Sequence, residues 1–342
     1  MKRFLLSFFL LLSLSPLLYT QILNDAINAA HQNRFTQALG ILKNLYAKSP
    51  QDSSVVQWLA YVYLRMGDTQ NAVTWLEKAV KLSPKSVKMW TDLAFAYNAT
   101  HQPKLALDAY QEIIKFEPRN ASIWYNIGIL YDSFKNYNQA AIAFKKAIEY
   151  DPFFANAYFN LGKVYQQKRD FKEAARLMQK ASQLIPEEAL FAKAAAYSYQ
   201  RANDKYAALP VYEHLQKLTL HYGPFLVQLS SLYYDVRRFA DSLKLLERFV
   251  YTQEHDSSFW FNLALVQNQN DLLAKAETSY KKAIDLNPHN LMAIRNYAIL
   301  LFRDHKYAEV IPWLRKLIEI YPNESIWKKM LTTSIGYVNL KK

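Results

Sequence analysis

Residues 121–154 read ASIWYNIGILYDSFKNYNQAAIAFKKAIEYDPFF, and this stretch decides the fold. Trp124, Ile127, Gly128 and Tyr131 recur at steps of three and four, which puts them on one face of a helix. After a polar break at Asn136, Ala140, Phe144 and Ala147 repeat that period. Pro152 then stops the second helix, because proline lacks the amide proton a helix interior needs. Small residues at Gly128 and Ala140 allow two antiparallel helices to approach closely, with aromatic rings filling the gaps.

Working outward from Pro152, a step of 34 residues meets Pro50, Pro84, Pro118 and Pro186, passes Leu220 and Glu254, and meets Pro288 and Pro322. Other columns keep the register. Tyr63, Tyr97, Tyr131, Tyr165, Tyr199 and Tyr233 form one. A small column precedes it by three places: Ala60, Ala94, Gly128, Gly162, Ala196, Ser230, Ala264 and Ala298. A second small column runs from Ala38 to Ala276, and a bulky one follows it by four residues, from Leu42 through Phe144 and Tyr280 to Leu314. Because so many columns agree at one period, the chain is a tandem repeat.

These landmarks resemble the tetratricopeptide repeat: Trp124, Ile127-Gly128, Tyr131, Ala140, Phe144, Ala147 and Pro152 differ from the family pattern only in Ile for Leu. The resemblance covers nine units without insertion, from 19–52 to 291–324. The first is degenerate, with Asp25 where Leu is usual, and the sixth and seventh lose the proline. The expected fold is all-α, an α-α superhelical solenoid of helix-turn-helix units over residues 21–324, closed by a capping helix at 325–342. Each pair leaves apolar surface that only its neighbours cover. Lys328, Lys329, Lys341 and Lys342 make the cap basic. Pro210 and Pro312 fall inside second helices, where a kink or a late start is expected.

The composition agrees. Half of the chain is hydrophobic (51%), 15% is aromatic, and 6 glycines in 342 residues leave no glycine-rich phosphate loop. The absence of cysteine excludes disulfides, thiolate metal sites and a cysteine nucleophile. The seven histidines, His31, His101, His214, His221, His255, His289 and His305, show no metal-ligand spacing and read as surface residues. Glu187/Glu188 and Glu254/Asp256 lie in loops between units and read as solvated. No stretch outside the repeats could house a catalytic domain, so neither an enzyme nor a cofactor is expected. Tyr97, Tyr131, Tyr165 and Trp124, at helical spacing, read as core rather than as base-stacking platforms, which argues against nucleic acid.

Lys2 and Arg3 precede an apolar run from Phe4 to Leu14, with small and polar residues behind it. Residues 1–20 read as a secretory signal, with an uncleaved membrane anchor as the other reading. The expected location is exported, periplasmic or extracellular, or anchored facing away from the cytoplasm. The first helix is expected from about Ile22 to His31.

In the family, the first helix of each unit lines a concave groove through its fifth, sixth and ninth positions. The resemblance therefore implies a peptide-binding surface of Tyr125, Asn126, Phe159, Asn160, Lys163, Lys193, Tyr197, Phe261, Asn262, Arg295 and Asn296, to which the thirteenth column on the same expected side adds Arg201. Asparagine amides donate and accept at once, which suits the backbone of an extended peptide; the bland alternative is that they bond neighbouring repeats. Lys and Arg exceed Asp and Glu by 42 to 29, which favours an acidic partner segment. A carboxylate clamp of the kind some members use is absent, since Lys193 is paired with Tyr197 and Arg295 with Ile299. The leading expectation is an exported adaptor for a protein or peptide. The alternative is a carrier holding a small hydrophobic ligand in a cavity among Tyr125, Phe159, Tyr197 and Phe261.

Overall fold

The computed structural model describes residues 16–218 and 223–340. The export signal therefore lies largely outside the described residues, as do His221, Lys341 and Lys342. The described residues form nineteen α-helices and one 3-10 turn, with no strand. The helices are α1 (Pro16–His31), α2 (Phe35–Lys48), α3 (Ser53–Met66), α4 (Thr69–Leu82), α5 (Val87–Ala99), α6 (Pro103–Phe116), α7 (Ala121–Ser133), α8 (Tyr137–Tyr150), α9 (Ala155–Gln167), α10 (Phe171–Leu184), α11 (Ala189–Arg201), α12 (Lys205–Leu218), α13 (Gly223–Asp235), α14 (Phe239–Phe249), α15 (Ser257–Gln269), α16 (Leu273–Leu286), α17 (Leu291–Arg303), α18 (Tyr307–Ile320) and α19 (Ser325–Leu340). Odd-numbered helices open a repeat and even-numbered ones close it. The α19 helix follows as an unpaired first helix. Two compact units divide at Val164/Tyr165, inside α9.

Each hairpin turns by the same device. Asn33, Gly67, His101, Lys135, Arg169, Asn203, Arg237, Asp271 and His305 all have φ between 55° and 77°, one per repeat. The next residue donates its amide to the carbonyl five residues earlier, as Asn136 does to Tyr131 (2.9 Å) and Asp204 to Tyr199 (3.1 Å). This left-handed cap satisfies carbonyls that the helix end would otherwise leave open. The tyrosine column thus supplies a backbone acceptor as well as a ring. Asp68, Asn136, Asp170 and Asp204 then cap the second helix with their side chains.

Both small columns are buried. A Cβ on Gly128 would come within 2.6 Å of the Phe144 ring, so only glycine lets α7 meet α8 there. In the first unit, one core cluster runs from Val56 through Leu76 and Leu93 to Leu130. In the second, Tyr280, Tyr297, Leu314 and Trp327 anchor another.

Three expectations are revised. The first helix starts at Pro16, six residues before Ile22, and the Tyr19 hydroxyl donates to Asp52, the cap of α3. Of the kink or late start expected at Pro210 and Pro312, the late start is absent: α12 and α18 begin in register and run through both prolines. Each ring falls at the sixth residue of its helix, so only one intrahelical bond is forfeited. His214 is half-buried, and its Nε2 lies 2.9 Å from the Pro186 carbonyl oxygen.

Candidate protein-interaction surface

The predicted groove residues fall on first helices of both units and are described unit by unit. In the first, Tyr125 is half-buried, with its ring 4.8 Å from Phe154 and 5.8 Å from Phe144. Its hydroxyl accepts a 2.9 Å bond from Asn160 Nδ2. Burial raises the Tyr125 phenol, and the Asn160 bond opposes that rise. Asn160 therefore spends an amide proton on the neighbouring repeat, as the bland reading had it. Asn126 and Phe159 are half-buried, and Lys163 is exposed.

In the second unit, Lys193, Tyr197 and Arg201 are exposed on one face of α11. Arg201 Nη1 donates to the Tyr197 hydroxyl (2.9 Å), and its guanidinium lies 4.5 Å over the Phe171 ring. Phe261 packs 6.3 Å from buried Tyr280, and Asn262 is half-buried beside it on α15. Asn296 Nδ2 donates to Met292 O of its own helix (2.8 Å), and Arg295 lies 5.5 Å over the Trp327 ring. The first unit repeats the arginine device: Arg65 Nη1 donates to the Tyr61 hydroxyl at 2.9 Å. A guanidinium held four residues from a tyrosine keeps its remaining donors outward with less side-chain freedom left to lose on binding.

Two further devices hold the repeats in register. The tyrosine column bonds back to the second helix of the preceding repeat, twenty residues earlier: Tyr97 to Glu77 (2.8 Å), Tyr199 to Gln179 (2.6 Å) and Tyr233 to Glu213 (3.0 Å). Burial and the Glu213 carboxylate push the Tyr233 phenol up to about 12. The fourth-column tryptophans Trp90, Trp124 and Trp260 donate Nε1 to the carbonyls of Pro84, Pro118 and Glu254 at 2.8–3.0 Å. The bond survives where Glu254 replaces proline, so the tryptophan reads the carbonyl and not the ring.

Among the described residues no cluster of three or more His, Asp or Glu is placed to hold a metal, and no helix is long and apolar enough to cross a membrane. Glu188 and Asp256 act as helix caps, accepting from Leu190 N (3.2 Å) and Ser258 N (2.8 Å).

Family profiles described as tetratricopeptide repeat match residues 92–149, 155–188 and 227–290, and one described as TPR repeat matches 135–168. The chain is a tetratricopeptide-repeat protein. A profile described as anaphase-promoting complex, cyclosome, subunit 3 matches 31–113. No curated protein matches the chain in sequence. Among solved structures, the C-terminal part of a TPR repeat-containing protein from Cytophaga hutchinsonii is 18% identical, covering 80% of this chain and 98% of that one at a TM-score of 0.51. MamA from Desulfovibrio magneticus RS-1 is 24% identical over 50% of this chain and 96% of its own, at 0.45. YrrB, described as a TPR protein with an unusual peptide-binding site, is 20% identical over 56% and 98%, also at 0.45. Tetratricopeptide arrays are protein-interaction scaffolds, generally without catalysis of their own. In this one, sequence reasoning named positions on the first helices but missed the Arg–Tyr clasps and the tyrosine-to-second-helix bonds. Arg65 four residues after Tyr61, and Arg201 four after Tyr197, were the available signal.

Proposed function

We propose that this chain is an exported scaffold whose first-helix faces hold an extended, acidic segment of a partner protein in the cell envelope. The observation that carries it is the pair of clasped arginines, Arg65 on Tyr61 in the first unit and Arg201 on Tyr197 and Phe171 in the second. Each offers a fixed guanidinium from a predicted groove face, and guanidinium recognises carboxylate by paired, charge-assisted bonds. The excess of 42 basic over 29 acidic side chains supplies a field that steers such a segment. Half-buried Asn126 and Asn262 lie on the same faces as donors and acceptors for its backbone. The export part of the reading rests on Lys2, Arg3 and the apolar run behind them.

The test is capture from a cell-envelope extract by the full chain, with bound proteins identified by mass spectrometry. Lys193→Glu with Arg201→Glu should weaken capture of an acidic partner at least tenfold, and raising salt should weaken capture by the unaltered chain. Undiminished capture by the double variant, with its helical spectrum intact, sinks the groove reading. Recovery of the chain from the cytosolic fraction alone sinks the location.

A further inference from the structure

One departure from the residue types of the flanking repeats falls where α11, α12 and α13 meet, within the second unit. The first residue of the second helix is aromatic in the flanking repeats, Phe171 and Phe239, but Lys205 here. The ninth position of a first helix is Tyr197 in the preceding repeat and Leu265 in the following one, but Ser231 on α13. In both flanking repeats the ring that opens the second helix is covered by a neighbouring side chain. Arg201 lies 4.5 Å over Phe171, and Tyr234 packs 5.2 Å from Phe239 while receiving Gln269 at 3.2 Å. With Lys205 and Ser231 in those places a cavity of about 200 Å³ opens, walled by Tyr199, Ala208, Tyr212 and Leu232. Lys205 Nζ pairs with Asp235 at 2.7 Å among the lining residues, and Gln228 accepts from the Tyr212 hydroxyl at 2.8 Å.

We propose that this cavity is the anchor site for one aromatic side chain of the bound segment. The inference rests on the groove reading: Gln228, Ser231 and Asp235 occupy the sixth, ninth and thirteenth positions of α13, the face by which the family binds peptides. The volume falls short of the roughly 300–1,000 Å³ of small-molecule sites but suits one side chain. Lys205 and Asp235 neutralise each other, and Asp204, which caps α12 through Ala207 N, also lines the cavity, so no acidic side chain is drawn in. Two tyrosines, Ala208 and Leu232 share the walls with polar Gln200, Asn203 and Gln228, and the residue that Lys205 replaces is a ring, Phe171 or Phe239, in the flanking repeats. A partner's ring therefore enters where the neighbouring repeats place their own, and a buried ring ringed by polar contacts is the usual form of a binding hot spot.

The experiment pans a displayed library of random dodecapeptides on the full chain and measures affinities of the selected peptides. Selected peptides should share one aromatic position, and its replacement by alanine should cost at least tenfold. Ser231→Tyr fills the cavity from α13, and Lys205→Phe fills it from α12. Each should cause a similar loss while leaving the melting curve unchanged or shifted upward, so the two variants cover for one another should one misfold. Peptides without a required aromatic, or with unchanged affinity for the filled variants, overturn the anchor. If those peptides still lose affinity on Lys193→Glu with Arg201→Glu, the groove reading stands without it. A selection yielding no binder above background overturns both.

Discussion

In the hairpin 121–154 the α7 backbone lies so close under the Phe144 ring that a methyl on Gly128 would overlap it at 2.6 Å. In the hairpin 189–222 the corresponding bulky position is Tyr212, which reaches past its own hairpin to bond Gln228 on α13 and leaves a cavity of about 200 Å³ at its side. Both hairpins obey one register, turn with one left-handed residue and close that turn with the same backbone bond. They differ in how fully side chains occupy the space that register defines. The first is specified by shape; the second carries Lys205 and Ser231 where its neighbours carry apolar or aromatic residues, with Lys205 paired to Asp235. Repeat arrays tolerate such local variation because each repeat rests only on its neighbours.

The largest expected effect tests the shape half of that contrast. Phe144→Ala removes a fully buried ring and should cost about 3–5 kcal/mol. Gly128→Ala should cost about 1–3 kcal/mol by overpacking the same contact. The double variant should cost less than the two singles summed, because the added methyl then enters the space the ring vacated. Loss of amide-exchange protection in α7 and α8, rather than one global melting temperature, is the measurement suited to a repeat array. Additive costs would show that the hairpin is not held by this contact.

The second test concerns charge. Lys205–Asp235 is an exposed pair, with side chains 47% and 33% accessible, and Asp235→Asn should cost under about 1 kcal/mol. Glu277 is the opposite case, 15% accessible and gripped by Lys306 at 2.6 Å and Lys281 at 3.0 Å. Burial alone would raise its carboxyl, but the two lysine bonds and charges outweigh that and hold it below the usual range. A carboxylate lowered in the folded state adds stability that is present above its unfolded value and is lost as pH falls through the folded one. Glu277→Gln should therefore cost about 1–2 kcal/mol at neutral pH. It should also remove part of the loss of stability that the unaltered chain shows below about pH 4.5. Equal costs for Glu277→Gln and Asp235→Asn would erase the distinction drawn between the two junctions.

Much of the fold was legible in the sequence, because a 34-residue period written in proline, tyrosine and alanine leaves one architecture. The site was legible less fully. Spacing puts a sixth-position asparagine on a first helix but does not say whether its amide meets a peptide or a neighbouring repeat, and Asn160 meets Tyr125. Ser231 and Lys205 look unremarkable until aligned with the aromatic residues of flanking repeats, since a cavity is written as missing side chains. The turn column was hidden for a different reason. The left-handed residue is glycine only at Gly67, and elsewhere Asn, His, Lys, Arg or Asp takes that conformation.

That column yields the smallest effect, and it returns to the same two hairpins. Lys135 turns the first at φ 57°, and Asn203 turns the second at φ 55°. A left-handed residue with a Cβ costs about 1–2 kcal/mol, less for asparagine, whose short amide bonds locally. Glycine removes that strain but costs about 0.4–1 kcal/mol through the freedom it adds to the unfolded chain. Lys135→Gly should therefore stabilise α7 and α8 by roughly 0.5–1 kcal/mol, while Asn203→Gly should be near neutral. Both side chains are exposed, so packing changes little in either variant. Amide exchange at the two turns reads the difference directly. A gain at Asn203 equal to that at Lys135 would mean that the cost of these turns lies in the backbone bonds they share, and not in the residue that adopts the left-handed conformation.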